Sequence, residues 1–359
     1  MTMTTGHVFD RAPRRVYWEV TRACDLACRH CRAEAAPAAD PAELSSEEGR
    51  RLLRDLARFG EPLPHLVLTG GDSLKRSDLF SLIATAKVLG FPVAVAPSGT
   101  PLLTAEEIQR LEAAGVEAIS LSLDGADAAR HDGLRGVPGC FARTLAAARH
   151  CVTAGLPLQI NTLVSEETLD ELPAIHRLVI DLGAARWSLF FLVAVGRGSV
   201  LRPITPEACE RLFERLLDLA DTPGLAITTT EAPHFRRVAM TRSQRRGGDG
   251  HAQRSPRAAG HAAGIRDGNG IMFISNTGEV HPSGFLPLSA GNVRTADPLS
   301  LYRDSDLFRA LRRADHFGGR CGRCEYRETC GGSRARAWAA TGDPLAEDPL
   351  CRYEPASPS

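Results

Sequence analysis

Three cysteines, Cys24, Cys28 and Cys31, stand in the spacing C-x3-C-x2-C within Arg22-Ala-Cys-Asp-Leu-Ala-Cys-Arg-His-Cys31. They follow a short β-type run, Val16-Tyr-Trp-Glu-Val-Thr21, so they belong on the loop leaving a strand. Three thiolates this close in sequence can hold three irons of a [4Fe–4S] cube, and the fourth iron then stays open to a small molecule. An open metal position is what separates a chemical site from a structural one. Zinc is the alternative, although a zinc site prefers paired C-x2-C elements. A disulfide framework needs an oxidising compartment, and Met1 to Arg15 contain no apolar core of a signal peptide.

A second group of cysteines closes the sequence. Cys321-Gly-Arg-Cys324, Cys330 and Cys351 place four thiolates in one segment. Four is the full set for a second cube, and equally for structural zinc. Cys140, Cys151 and Cys209 lie scattered between the groups and are read as ordinary small core or surface residues.

The elements that must position these groups alternate. Ser45 with Glu48 forms a capping box ahead of a helix whose stripe is Leu52, Leu53 and Leu56. His65-Leu-Val-Leu-Thr69 is a strand ending in Gly70-Gly71-Asp72. Four more strands are expected at 92–98, 118–125, 158–164 and 186–193, with helices between them and a last helix from Pro206 to about Ala220. Six strand-then-helix units mean a parallel sheet with crossover helices. In such sheets ligands bind at the carboxyl ends of the strands, where most of the polar and glycine-rich signals fall.

Across all 359 residues the formal net charge is zero, so nothing calls for nucleic acid or an anionic membrane as a partner. No apolar run approaches a membrane span, and a cytoplasmic location is expected. Residues 241–264 are rich in Gly, Arg and Ser and cannot bury enough to order themselves alone. They are read as a linker or lid between a domain of residues 1–240 and one of residues 265–359. Asn276-Thr-Gly278 between two β-rich runs reads as a hairpin.

The Cys24–Cys28–Cys31 loop resembles that of the radical S-adenosylmethionine (SAM) enzymes. That resemblance implies a partial (β/α)6 TIM-like barrel, a [4Fe–4S] cluster that binds SAM, and cleavage of SAM to a 5′-deoxyadenosyl radical. Gly70-Gly71-Asp72 resembles the family's Gly-Gly-Glu motif, whose backbone and acid hold the SAM amino group; here Asp shortens the reach by one methylene. Ser98, Ser122, Asp124 and Asn161 match strand-end positions that contact the SAM ribose and carboxylate. Gly196 and Gly198 either let the adenine approach or end a strand, and the ring of His30 is expected to pack on adenine. The closing cysteine segment resembles the small α+β iron–sulfur domain called SPASM/twitch. Ser283 and Arg334 stand where its two-cluster form carries further cysteines, so one auxiliary [4Fe–4S] cluster, fully ligated by protein, is expected.

Cys330-Gly-Gly-Ser-Arg-Ala-Arg-Ala-Trp338, Thr341 to Pro349, and His281 to Val293 resemble the haem-pathway branch of these enzymes, which includes Fe-coproporphyrin decarboxylase. The implied activity is hydrogen abstraction from a carboxylate-bearing intermediate, a tetrapyrrole propionate or a natural-product acid, with decarboxylation. The alternatives are a maturase acting on a ribosomal peptide, or a non-catalytic iron–sulfur protein. A small-molecule or peptide substrate and an electron donor such as flavodoxin or ferredoxin are the partners expected.

Overall fold

The computed structural model describes residues 9–220, 222–246 and 264–356. Seven strands run parallel in chain order: β1 (Arg15–Thr21), β2 (His65–Gly70), β3 (Val93–Val95), β4 (Ala118–Ser122), β5 (Leu158–Val164), β6 (Arg186–Phe191) and β7 (Ala226–Thr230). Helices connect them: α1 (Ser46–Ala57), α2 (Leu79–Val88), α3 (Ala105–Ala113), α4 (Ala128–Arg135), α5 (Cys140–Thr153), α6 (Leu172–Asp181) and α7 (Pro206–Leu219), with α8 (Phe235–Arg246) after β7. Alternate residues of β1 through β7 line one cavity, Tyr17 and Val67 on one side with Asn161, Ser188 and Thr228 on the other. The sheet is therefore curled into a partial barrel, its strands presenting one face to the helices and the other to the lumen.

Local chemistry explains these elements. Ser45 accepts the Glu48 N–H while the Glu48 carboxylate accepts the Ser45 N–H, closing the capping box of α1. Thr104 and Thr205 cap α3 and α7 through their hydroxyls. Between sheet and helices, Trp18 and Trp187 are both fully buried. Gly49 in mid-α1 is what admits Trp18: a Cβ there would lie 2.8 Å from the indole Cη2.

Three features differ from the sequence reading. β7 and α8 extend the series beyond six units, because Ala226-Ile-Thr-Thr-Thr230 carries too little apolar signal to register as a strand. α4 precedes the expected helix at α5. Residues 241–246, assigned to the linker, form the end of α8, and 247–263 lie outside the described residues.

The remaining chain returns to the same sheet. β8 (Ile271–Ile274) pairs parallel with β1, then turns through Asn276-Thr-Gly278 into antiparallel β9 (Glu279–His281), which pairs with β10 (Gly291–Asn292). Four short helices follow: α9 (Pro298–Asp304), α10 (Asp306–Arg312), α11 (Gly319–Arg323) and α12 (Arg334–Thr341). No helix among the described residues is long and apolar enough to cross a membrane.

Candidate active site

The cysteine loop leaves β1 and is clasped by α4: Ala27 and Arg29 donate backbone N–H groups to the carbonyls of Arg135 and Leu134, at 3.1 and 2.9 Å. Cys24, Cys28 and Leu26 form a small buried cluster with Cys140, and Cys31 lies at its edge. Cys140 is a core residue as the sequence suggested, but the core it belongs to is the cysteine loop's own. Cys151 and Cys209 are fully buried in the main core.

Gly70-Gly71-Asp72 presses against the same loop. Gly71 N donates to Thr21 O (2.8 Å) and Asp72 N to Ala23 O (2.7 Å). A Cβ on Gly70 would stand 2.2 Å from Thr21 O, and one on Gly71 2.5 Å from Ala23 O, so neither position admits a side chain. The Asp72 carboxylate is wholly buried. Its Oδ1 accepts Leu74 N (3.2 Å) and Ser98 N (3.3 Å), and its Oδ2 accepts the Thr100 hydroxyl (2.6 Å). Burial raises its pKa, against these three donors, which lower it. A carboxylate offers about four acceptor sites, so about one remains. Ser98 donates to Gly71 O (2.7 Å) and lies 3.6 Å from Cys24 Sγ.

Asp124 sits on the other side of the loop, wholly buried. It accepts Leu163 N at 2.6 Å and pairs with Arg135, whose guanidinium also reaches Cys28 Sγ at 3.7 Å. Burial is the largest single influence on Asp124 and raises its pKa, but Arg135, His30, His131 and the Leu163 N–H together outweigh it, and the net shift is downward. His30, 4.0 Å from Asp124, is pushed down to about 4 by burial and then by Arg135, so it is neutral at pH 7. Ser122 and Asn161 are cross-strand partners on β4 and β5; Asn161 lines the lumen and accepts from Gln159 Nε2 (2.7 Å). Gly196 packs on the loop's exit, where a Cβ would be 2.6 Å from Arg32 O, and Gly198 is 3.5 Å from His30 O by the same measure.

Thus Gly70, Gly71, Asp72 and Ser98 gather around Cys24, Arg135 links Asp124 to Cys28, and Ser122 and Asn161 lie further off along β4 and β5. Pattern reading missed Arg135 and Arg32. Arg32 pairs with the buried Glu19 at 3.2 Å and lies over the Phe273 ring at 4.5 Å.

The second cysteine group converges as well: Cys321, Cys324, Cys330 and Cys351 line one cavity. Tyr326 N, Gly332 N and Asp348 N each lie 3.4 Å from a sulfur, of Cys324, Cys330 and Cys321 respectively. Leu26 N makes the same 3.4 Å contact to Cys24. In an iron–sulfur cluster, N–H donors to the ligating sulfurs help set the reduction potential. Among the described residues no three His, Cys, Asp or Glu side chains stand close enough to hold a single ion. Arg334, at the place of the missing cysteine, is fully buried and donates to Cys321 Sγ at 3.5 Å. Ser283 lines the lumen instead, accepting Phe285 N at 3.3 Å. Arg336 and Asp348, a buried pair at 3.2 Å, lock this segment to the barrel: Asp348 accepts Ser333 N (2.8 Å), and Arg336 donates to Glu231 O (2.7 Å) just past β7.

The lumen itself encloses about 580 Å³, within the range of small-molecule sites. The model of the "Radical SAM superfamily" matches residues 18–179. An "AdoMet-dependent heme synthase" of Methanosarcina barkeri is 38% identical over 347 residues, 96% of this chain and 97% of that protein. The chain belongs to the radical SAM superfamily. A second protein of the same description, from Nitratidesulfovibrio vulgaris, is 39% identical over 95% of this chain and 92% of its own length. The SuiB structure of Streptococcus suis, bound to S-adenosylmethionine, has the same fold, with a TM-score of 0.73 over 96% of this chain and 78% of that one at 18% identity. Radical SAM enzymes use a [4Fe–4S] cluster with SAM, and the three-cysteine loop, with its sulfur-directed N–H and guanidinium donors, fits that group.

Proposed function

We propose that this radical SAM enzyme acts in haem biosynthesis, converting propionate side chains of a tetrapyrrole to vinyl groups with release of CO2. The observation that carries the reading is the 38% identity to a haem synthase across nearly the full length of both chains. The likeness therefore includes the lumen and the closing cysteine segment as well as the SAM loop.

The cluster and SAM, when bound, supply a 5′-deoxyadenosyl radical that takes one hydrogen atom from the substrate. Loss of CO2 from the propionate radical would then leave a vinyl group and one electron, whose acceptor would be an oxidised cluster held by Cys321, Cys324, Cys330 and Cys351. The protein's task is to hold and shield. Cys24, Cys28 and Cys31 hold the cluster. Gly70 and Gly71 let the β2 loop approach it closely, and the remaining acceptor site of Asp72 takes the SAM ammonium. Ser98, Ser122, Asp124 and Asn161 serve the rest of SAM, Asp124 with its charge fixed by Arg135. Cys321, Cys324, Cys330 and Cys351 hold one auxiliary cluster with no open iron, and the electron donor is a small flavoprotein or ferredoxin.

The test is anaerobic incubation of the reconstituted enzyme with SAM, a reductant and Fe-coproporphyrin III, read by mass spectrometry. Decarboxylated porphyrin is expected alongside 5′-deoxyadenosine. SAM cleavage with every propionate intact would overturn the reading.

A further inference from the structure

The lumen continues to the end of the barrel opposite the cysteine loop, and there its wall is basic. Arg14, Arg15, His65 and Arg186 all line the cavity at the amino ends of β1, β2 and β6. Arg15 and His65 are direct partners in the β1–β2 register. Arg186 opens the inward-facing row of β6 that continues through Ser188 to Phe190.

These groups face one another without a counter-ion among the described residues. Arg186 is held below the ordinary guanidinium value first by burial and then by Arg15. His65 is pushed down to about 4 by burial first and Arg15 next, with Arg186 and Arg14 adding to the effect and Glu117 opposing it. Glu117 is already taken by Lys87, whose Nζ lies 2.8 Å from its Oε1. His65 Nδ1 is buried with no hydrogen-bond partner. The two carboxylic acids that line the lumen, Glu231 and Asp267, are engaged by the closing segment: Ser333 donates to Glu231, and Arg334 N and Ala335 N donate to Asp267 at 2.9 and 3.0 Å. Arg14 is exposed and Arg15, His65 and Arg186 are half-buried; like charges brought together in such a cleft repel, and an anion placed between them relieves that repulsion.

We propose that this floor of Arg15 and Arg186, with Arg14 and His65 beside it, binds a carboxylate of the substrate that is not being removed. The inference rests on the tetrapyrrole reading above and deepens it. Glu19 stands four positions beyond Arg15 along β1, a span of about 13 Å at strand rise. A substrate that meets both ends is therefore long, with carboxylates on opposite edges. One arm is anchored at the floor while another reaches the radical end, which makes the anchored arm a ruler for the site of hydrogen abstraction.

The experiment uses the reconstituted enzyme and two probes, Fe-coproporphyrin III and its tetramethyl ester, titrated anaerobically by absorbance. The free acid is expected to bind the wild type at least tenfold more tightly than the ester. R15Q/R186Q is expected to lose most of that preference and R15K/R186K to keep part of it, with iron content reporting that both variants fold. A preference that survives in R15Q/R186Q, or a wild type that binds both probes alike, overturns the floor site while leaving the tetrapyrrole reading intact. If neither porphyrin binds, the tetrapyrrole reading falls and the floor is judged with citrate by calorimetry. Citrate binding lost in R15Q/R186Q supports a floor for a small polycarboxylate, and no citrate binding to wild type overturns it.

Discussion

At the scale of single residues, the divide between what the sequence discloses and what it hides is a matter of range. Cys24, Cys28, Cys31 and Gly70-Gly71-Asp72 are legible because their chemistry is local spacing. Arg135 is not, because it meets Cys28 across 107 positions and nothing near either residue announces the other. Arg334 was visible only as the place of an absent cysteine; the structure turns that absence into a guanidinium on Cys321. Asp72 holds its loop in place and, in the function proposed above, also takes the SAM ammonium, and two variants separate the two tasks. Asp72→Ala strips acceptors from Thr100, Ser98 N and Leu74 N and should lower stability by about 1–3 kcal/mol for the buried donors left unpaired. Asp72→Asn keeps an oxygen for those donors and removes the charge, so its SAM affinity should fall by about 1.5–3 kcal/mol. Calorimetric titration with SAM checks this, and wild-type affinity in Asp72→Asn would leave the residue a structural one.

At the scale of elements, the parallel sheet follows from strand–helix alternation, and the capping box at Ser45 and the cap at Thr104 place the starts of α1 and α3 to within a residue or two. What alternation conceals is β7, whose threonines satisfy a pleat without an apolar run, and the partner of β8, since a hairpin's sequence specifies its own turn and not the third strand it joins. Gly49 shows packing overruling propensity. Alanine in an exposed helix interior improves stability over glycine by about 1 kcal/mol. Here the added methyl would meet Trp18 at 2.8 Å and Leu82 at 3.0 Å, both fully buried and unable to give way cheaply. Gly49→Ala should therefore lower stability by about 1–3 kcal/mol as an overpacked core. A thermal melt with a raised midpoint would show that α1 shifts freely and that the contact is not binding.

At the scale of the whole molecule, two cysteine groups at opposite ends of the sequence are carried by one continuous sheet. The reconstituted enzyme should contain about eight irons per chain, two cubes of four. Asp348→Ala leaves Arg336 buried and unpaired, which costs about 3–5 kcal/mol and frees the segment that bears Cys321 and Cys351. That variant should fall to about four irons while still forming 5′-deoxyadenosine, because the loop at Cys24–Cys31 shares no hydrogen bond with Asp348 among the described residues. Iron analysis and product assay read the two outcomes separately. Four irons and one zinc in the wild type would make the closing segment a structural zinc site.

The pairing of β8 with β1 has a consequence for how the molecule comes into being. β1 is made first, yet the strand on one of its edges is supplied only after most of the chain has been synthesised. Until β8 arrives, β1 shows a row of open backbone donors and acceptors, the kind of edge that invites pairing with another chain, and contacts this distant in sequence form slowly. The nascent barrel therefore passes through a period in which the SAM loop is complete in sequence but stands beside an unfinished wall. Loading iron onto Cys24, Cys28 and Cys31 before that wall closes would expose the metal to oxygen and solvent from the open side. Maturation is safest when β8 is laid down beside β1 before the first cluster is installed.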